Sequence, residues 1–306
     1  MKIISMENKT VIFGAASKSV GRQLLEWVVS LRSLGRYQDS IVVLDYGVEG
    51  VIKRYCEALG VEFIPCILRT EEVIGNSRYI DLIPILANYP DYYIAIFDVD
   101  IWFQSDIRNI WTEIASTDGC IMACEIIPLD SLDQRSYRGP EGGNFRDKIL
   151  NKYTRLIKKF GGTVNAGLLA GKTKPLVNKL IGFKKALSNM IVLGNWGAEQ
   201  FYLNYSFDFK KDQGNGLVWN CLIRDCYLSD NYYYYKKDDV ILDLCGIHCF
   251  KYKLDNRSEH MFSYHHSKIF SAILGEVRKQ YDIHEASSRN NSSKNRIKKI
   301  PSKINE

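Results

Sequence analysis

Two carboxylates close an apolar run in "YYIAIFDVDIWFQ", residues 92–104: Asp98 and Asp100, with Val99 between them. Read as one extended strand, the segment sends alternate side chains to the same face, so the two acids point the same way. Like charges that close repel each other, and if both stay ionised they require a cation. Hard oxygen ligands of this kind suit Mn²⁺ or Mg²⁺. At the carboxyl end of a strand in an open α/β sheet they would face the crevice where such folds bind ligands. The triplet alone also allows a plainer reading, in which one Asp caps the next segment and the other is exposed.

The elements that must deliver this pair alternate regularly over the first hundred residues. "TVIFGAAS" (10–17) is a short apolar run ending in small residues, and "GRQLLEWVVSLRSL" (21–34) carries apolar residues at helical spacing. Strands are expected at 40–47 and 61–68, helices at 48–60 and 78–88, and the carboxylate run is the fourth strand. Strand and helix in alternation predict a parallel sheet covered on both faces. Beyond it, strands are expected at 119–126 and 163–171, a surface loop at 128–143, and helices at 145–160, 175–190 and 197–207. The last core element is "DVILDLCGIHCFKYK" (239–253). The "NYYYYKK" run at 231–237 reads as an edge strand or packing surface.

Composition bounds what such a chain can be. With 306 residues, 46% of them hydrophobic, it can bury a full core, and no stretch approaches the ~20 apolar residues that span a bilayer. Eight cysteines sit in apolar segments without a C-x-x-C pair, as expected of reduced thiols in a cytoplasmic protein. Cys245, His248 and Cys249 would make half a zinc site, but no second cluster has matching spacing. The net charge of +6 is concentrated in the tail 284–306, which holds six basic and two acidic residues and few large hydrophobes. That tail is expected to be disordered, a solvated terminus or a peripheral attachment to an anionic membrane surface. Its basic residues are not interleaved with aromatics, so nucleic acid is not the expected partner.

Four further motifs follow or precede the triplet in a telling order: "NSRY" (76–79), "VNAGLLAG" (164–171), "AEQFYLN" (198–204) and "CGIHCFKYK" (245–253). With the D-x-D triplet they resemble, over roughly Thr10 to Lys253, the GT-A fold glycosyltransferases that use nucleotide sugars. The likeness is strongest to the retaining group of glycogenin and the bacterial lipopolysaccharide galactosyl- and glucosyltransferases. The resemblance implies a Rossmann-like α/β fold with a mostly parallel central sheet over 1–255, its nucleotide-binding half at 10–104 and its donor and acceptor half at 105–255. A C-terminal helical extension at 256–283 and the basic tail at 284–306 complete the expected layout.

Residue by residue, the resemblance assigns Asp98, Asp100 and His248 to a Mn²⁺ (or Mg²⁺) site, with Val99 beside the donor. Arg78 would reach the donor sugar or diphosphate, and Asn165, Ala166 and Gly167 let the sugar approach. Glu199, where the family has Asp, would hydrogen-bond the sugar, and Gln200 would sit beneath the anomeric carbon. Lys251 or Lys253 would bind the diphosphate, although the glycine and the K-P-W of the family's segment are missing. The small residues Gly14, Ala15 and Ala16 offer backbone to a nucleobase; neither phosphate-loop pattern is present there.

The implied reaction moves a hexose from a nucleoside diphosphate sugar, UDP-hexose first, to a hydroxyl of a glycan, lipid-linked or protein acceptor in bacterial surface glycan assembly. It retains configuration if the leaving phosphate deprotonates the acceptor, and Glu199 is the candidate base if it inverts. Two alternatives stand beside it. An apolar strand ending in D-x-D is also how haloacid dehalogenase phosphatases present nucleophile and acid, although there the motif lies on the first strand and Trp102 stands here in place of Thr or Val. The other is a nucleotide-binding protein without catalysis.

Overall fold

The computed structural model describes residues 9–33, 35–68, 73–103, 106–126, 143–160, 162–190, 198–215, 218–220 and 246–248. The loop expected at 128–143, apart from Gly143, lies outside the described residues. So do the 231–237 run, Lys251, Lys253, the 256–283 extension and the tail.

The expected alternation is there. The chain runs β1 (Thr10–Ser17), α1 (Gly21–Ser33), β2 (Ser40–Tyr46), α2 (Gly50–Ala58), β3 (Val61–Pro65), α3 (Ile74–Ile85) and β4 (Tyr93–Phe97). It continues with β5 (Ile101–Phe103), α4 (Asn109–Ser116), β6 (Cys120–Ile126), α5 (Gly143–Phe160), β7 (Gly162–Lys172), α6 (Thr173–Met190), α7 (Ala198–Ser206), β8 (Gln213–Asn215), β9 (Val218–Asn220) and β10 (Gly246–His248). A seven-stranded sheet has the order β3-β2-β1-β4-β7-β6-β8, and β5, β10 and β9 form a small second sheet. Strands β3, β2, β1 and β4 are parallel, as are β6 and β8. Strand β7 is antiparallel to both β4 and β6, so within this sheet it alone is reversed.

Both faces of the sheet are covered, which is why the central strands are continuously apolar. Along β1 the pleat sends Ile12 into a cluster with Leu24, Trp27 and Val28 of α1 and Ile110 and Ile114 of α4. Its neighbours Val11 and Phe13 face the opposite cluster, built with Tyr79 and Leu82 of α3, Leu180 and Phe183 of α6 and Phe201 of α7. Burying each such side chain contributes about 1.5–3 kcal/mol, and Trp27, with no exposed surface, anchors the first layer.

At the amino ends of the parallel strands one side chain ties two connections together. The Arg32 guanidinium donates to the carbonyls of Leu59 (3.1 Å), Tyr37 (3.0 Å), Asp39 (2.8 Å) and Gly60 (3.1 Å). Another buried tie is the Lys179 ammonium, 2.7 Å from Asp212 Oδ2, with Asp212 also accepting the Cys120 and Asp208 N–H groups.

Two expectations are corrected. Helix α3 starts at Ile74, not at 78, because Val73, without a capping side chain, turns the chain into the helix. The fourth strand does not run to 104: β4 ends at Phe97, the chain turns, and Ile101–Phe103 joins the other sheet. Among the described residues no helix is long and apolar enough to cross a membrane.

Candidate functional site

The two carboxylates are delivered by a turn. Ile101 N–H donates to Asp98 C=O at 3.2 Å, closing Asp98–Ile101, so strand alternation does not orient them. The turn is held from the side by β7, where Asp98 N–H donates to Gly167 C=O at 3.0 Å. Beneath it, Val99 is buried against β1: a Cβ on Gly14 would stand 3.0 Å from Val99 Cγ1 and 3.1 Å from Trp27. Gly14 therefore allows the close approach, and any side chain there presses on the D-x-D turn.

Ala15 and Ala16 are buried and offer backbone only. Strand β1 pairs with β4 from Thr10 to Phe13, while it pairs with β2 as far as Ser17. Gly14, Ala15 and Ala16 thus lie past the last β4 partner, at the carboxyl edge where the turn sits.

Helix α3 brings Arg78 to the same place. Its side chain is 5% exposed, forms an ion pair with Asp98, and donates through Nη2 to Ala166 C=O at 3.2 Å. Tyr79 OH donates to the same carbonyl at 3.3 Å. Burial works to lower the Arg78 pKa, but the charges of Asp98 and then Tyr79 and Glu199 outweigh it and hold the guanidinium above its ordinary value. Glu199 itself, at the start of α7, rests on the first turn of α3: a Cβ on Gly75 would lie 2.9 Å from Glu199 Oε1. Arg78 is therefore flanked by two of the acids singled out in the sequence, from segments that join only in the fold.

The N-A-G residues lie at a break in the sheet. Met122 of β6 pairs with Leu169 of β7, but the next residue, Ala123, pairs with Asn165, so the register jumps across Ala166, Gly167 and Leu168. A bulge of this kind frees backbone groups and re-aims side chains. Here the freed groups serve the site: Ala166 C=O accepts from Arg78 and Tyr79, and Gly167 C=O accepts from Asp98.

The amides form a chain whose polarity is set by the backbone. Gly167 N–H donates to Asn165 Oδ1 at 2.7 Å, which leaves the Asn165 NH₂ to donate to Gln200 Oε1 at 3.2 Å. Further along α7, Asn204 accepts from Val164 N–H and donates to Val164 C=O, both at 2.8 Å, and donates to Gln200 C=O at 2.8 Å.

The third expected metal ligand belongs to the small sheet. His248 of β10 is the antiparallel partner of Ile101, the residue after Asp100, so its backbone is beside the turn. Among the described residues no group of three His, Cys, Asp or Glu comes together to hold a metal ion. Of the expected site residues, Gly14, Val99, Asp98, Arg78, Asn165, Ala166, Gly167, Glu199 and Gln200 are linked by these contacts. Asp100 closes the same turn, and Lys251 lies outside the described residues. Gly75 and Asn204 were not expected. A glycine in a helix's first turn and an Asn on the buried face of α7 are the only traces they leave in sequence.

No family model matches the chain, and no curated protein does. Solved structures do resemble it. The bifunctional glycosyltransferase WbbM, without ligand, superposes with a TM-score of 0.55 at 14% identity, over 81% of this chain and 46% of its own. The galactosyltransferase LgtC, in complex with donor and acceptor sugar analogues, gives 0.54 at 12% identity, over 87% of this chain and 95% of its own. The glycosyltransferase GlyE of Streptococcus pneumoniae TIGR4 gives 0.51 at 16% identity, over 89% of this chain and 64% of its own. The chain thus spans less than half of WbbM and just under two thirds of GlyE. At these identities the likeness shows the fold, which is the GT-A arrangement of those glycosyltransferases.

Proposed function

We propose that this chain, with the GT-A fold as its premise, transfers a hexose from a nucleoside diphosphate sugar, UDP-hexose first, to an acceptor hydroxyl in bacterial surface glycan assembly. The observation that carries the reading is the convergence of three separated motifs: the Asp98–Ile101 turn, the N-A-G bulge and Gln200 are joined by the Asp98–Gly167 and Asn165–Gln200 hydrogen bonds.

Departure of the diphosphate builds negative charge that must be stabilised. The chemistry of Asp98, Asp100 and His248, two hard carboxylates and an imidazole on the strand paired with Ile101, suits Mn²⁺ or Mg²⁺, and these are the residues that would hold it. When bound, such an ion supplies Lewis acidity to the departing diphosphate. Arg78 holds Asp98 in place and keeps its positive charge buried at the site. The open backbone of Gly14, Ala15 and Ala16 suits an incoming nucleobase. As the sugar becomes oxocarbenium-like, the Gln200 carbonyl and the Glu199 carboxylate are the groups placed to stabilise positive character. On this reading Glu199 hydrogen-bonds the sugar if configuration is retained and serves as base if it inverts. Lys251 or Lys253 is the candidate for the diphosphate, and the basic tail for an anionic membrane surface. The phosphatase reading loses ground because Asp98, its would-be nucleophile, is ion-paired with a buried guanidinium.

The test is a thermal-shift screen of nucleoside diphosphates and their sugars, with and without Mn²⁺, followed by donor hydrolysis. Metal-dependent stabilisation by UDP with turnover of a UDP-sugar supports the proposal. Binding without turnover of any donor, or phosphate release from small phosphomonoesters, defeats it.

A further inference from the structure

We infer that Asn204 is a positioning residue of the transfer centre, fixing the Gln200 carbonyl against Asn165; the inference rests on the proposed glycosyl transfer. Asn204 is 2% exposed, and every polar atom of its side chain is used. It takes both backbone groups of Val164 at 2.8 Å, as a neighbouring strand would, at the place where β7, still paired with Cys124 of β6, has run past Leu168, its last partner on β4. Its second NH₂ hydrogen goes to the Gln200 carbonyl of its own helix at 2.8 Å.

The consequence is geometric. Val164 adjoins Asn165, and Asn165 donates to Gln200 Oε1. One amide thus ties the backbone of Gln200 to the backbone next to Asn165, closing a ring through the Gln200 side chain. The Val164 N–H accepts only one orientation of the Asn204 amide, and the Gly167 N–H only one of Asn165, so the ring has a single polarity. Any other side chain at 204 leaves buried backbone groups unsatisfied or slides α7 along β7, and misplacement by ~1 Å at a reacting centre costs roughly 100-fold in rate. An Asn that merely glued helix to strand would affect how much protein folds and leave the turnover of folded molecules alone.

The experiment compares wild type, Asn204→Asp, Asn204→Ala and Arg32→Met. The last is a control that removes the Arg32 tie at the opposite end of the strands, which touches neither α7 nor β7. Asn204→Asp keeps the shape but sets a carboxylate oxygen against the Val164 and Gln200 carbonyls. Measured per folded molecule, kcat on UDP-sugar with Mn²⁺ should fall about 100-fold in both Asn204 variants, with UDP affinity within about threefold of wild type. In Asn204→Ala the Val164 amide should also exchange with solvent faster, while amides at Leu168 to Ala170 keep their protection. Arg32→Met should lose stability with kcat unchanged. The inference is overturned if kcat per folded molecule is unaltered, or if kcat and UDP affinity fall together in proportion to unfolded protein. Wild type that turns over no nucleotide sugar would instead defeat the transfer reading itself, and the Asn204 inference with it; an active wild type beside unaffected variants defeats only the latter.

Discussion

His248 stands opposite Ile101 in an antiparallel ladder, which sets its backbone one residue from Asp100 although nearly half of the chain separates them in sequence. If this pairing builds a metal site, Asp100→Asn and His248→Ala should each abolish the Mn²⁺-dependent part of UDP stabilisation. A ligand at a hundred times its Kd stabilises by about 2.7 kcal/mol, so wild type should show a thermal shift of several degrees that both variants lack. An undiminished shift in either variant removes that residue from the site.

Arg78 and Asp98 are unequally buried, at 5% and 22% side-chain exposure, and their replacements should be unequal too. Asp98→Asn takes from a buried guanidinium its ion-paired carboxylate, leaving it the charge of Glu199 alone, and should cost about 3 kcal/mol. Arg78→Met leaves a carboxylate that water still reaches and should cost less. Urea unfolding of the two variants gives the order, and equal losses would contradict it.

Gly75→Ala separates stability from activity. Alanine favours a helix over glycine by about 1 kcal/mol, so α3 should be no less stable. Its Cβ, however, would enter the space of Glu199 Oε1, the movable end of a side chain, and shift that carboxylate. The expected outcome is an unchanged or raised melting temperature with at least a tenfold loss of kcat on the nucleotide sugar. Full activity would show that Glu199 needs no fixed seat.

Asp45 should contribute to acid sensitivity. Burial tends to raise its pKa, but hydrogen bonds from Val48 N–H, Lys53 and Gly47 N–H outweigh burial and hold it below the ordinary carboxylate value. Because the folded pKa is the lower one, its contribution is present above about pH 4 and lost as pH falls through the folded value. Asp45→Asn should therefore flatten the loss of stability as pH falls below about 4. A curve parallel to wild type would count against the assignment.

Much of the fold was legible because β1 and β2 are short unbroken apolar runs, and the helices after them carry apolar residues at the 3.6 period. The D-x-D turn was not. Phe97, Val99, Ile101 and Phe103 are all buried, so the apolar run continues through the bend, and no Gly, Pro or Asn marks it. The bend is closed by Ile101 N–H on Asp98 C=O, and the Gly167 carbonyl that holds it in place is far away in sequence. The reversal of β7 was equally hidden, because a run of small apolar residues carries no sign of direction. The residues nominated through motif order are ones the fold brings near one another, whereas Gly75 and Asn204 make contacts that spacing does not encode.

The Arg32 tie divides the molecule into a fastened base and a working rim. Four carbonyls from two connections are anchored to one cation at the amino ends of the strands, opposite the edge that carries the D-x-D turn. The tight turns at Gly60 (φ 75°) and Asp91 (φ 60°) lie on that base as well, just before β3 and β4. For an engineer this is a handle: a fluorophore, an affinity tag or a link to a solid support placed at the Asp91 turn lies at the end opposite the D-x-D edge.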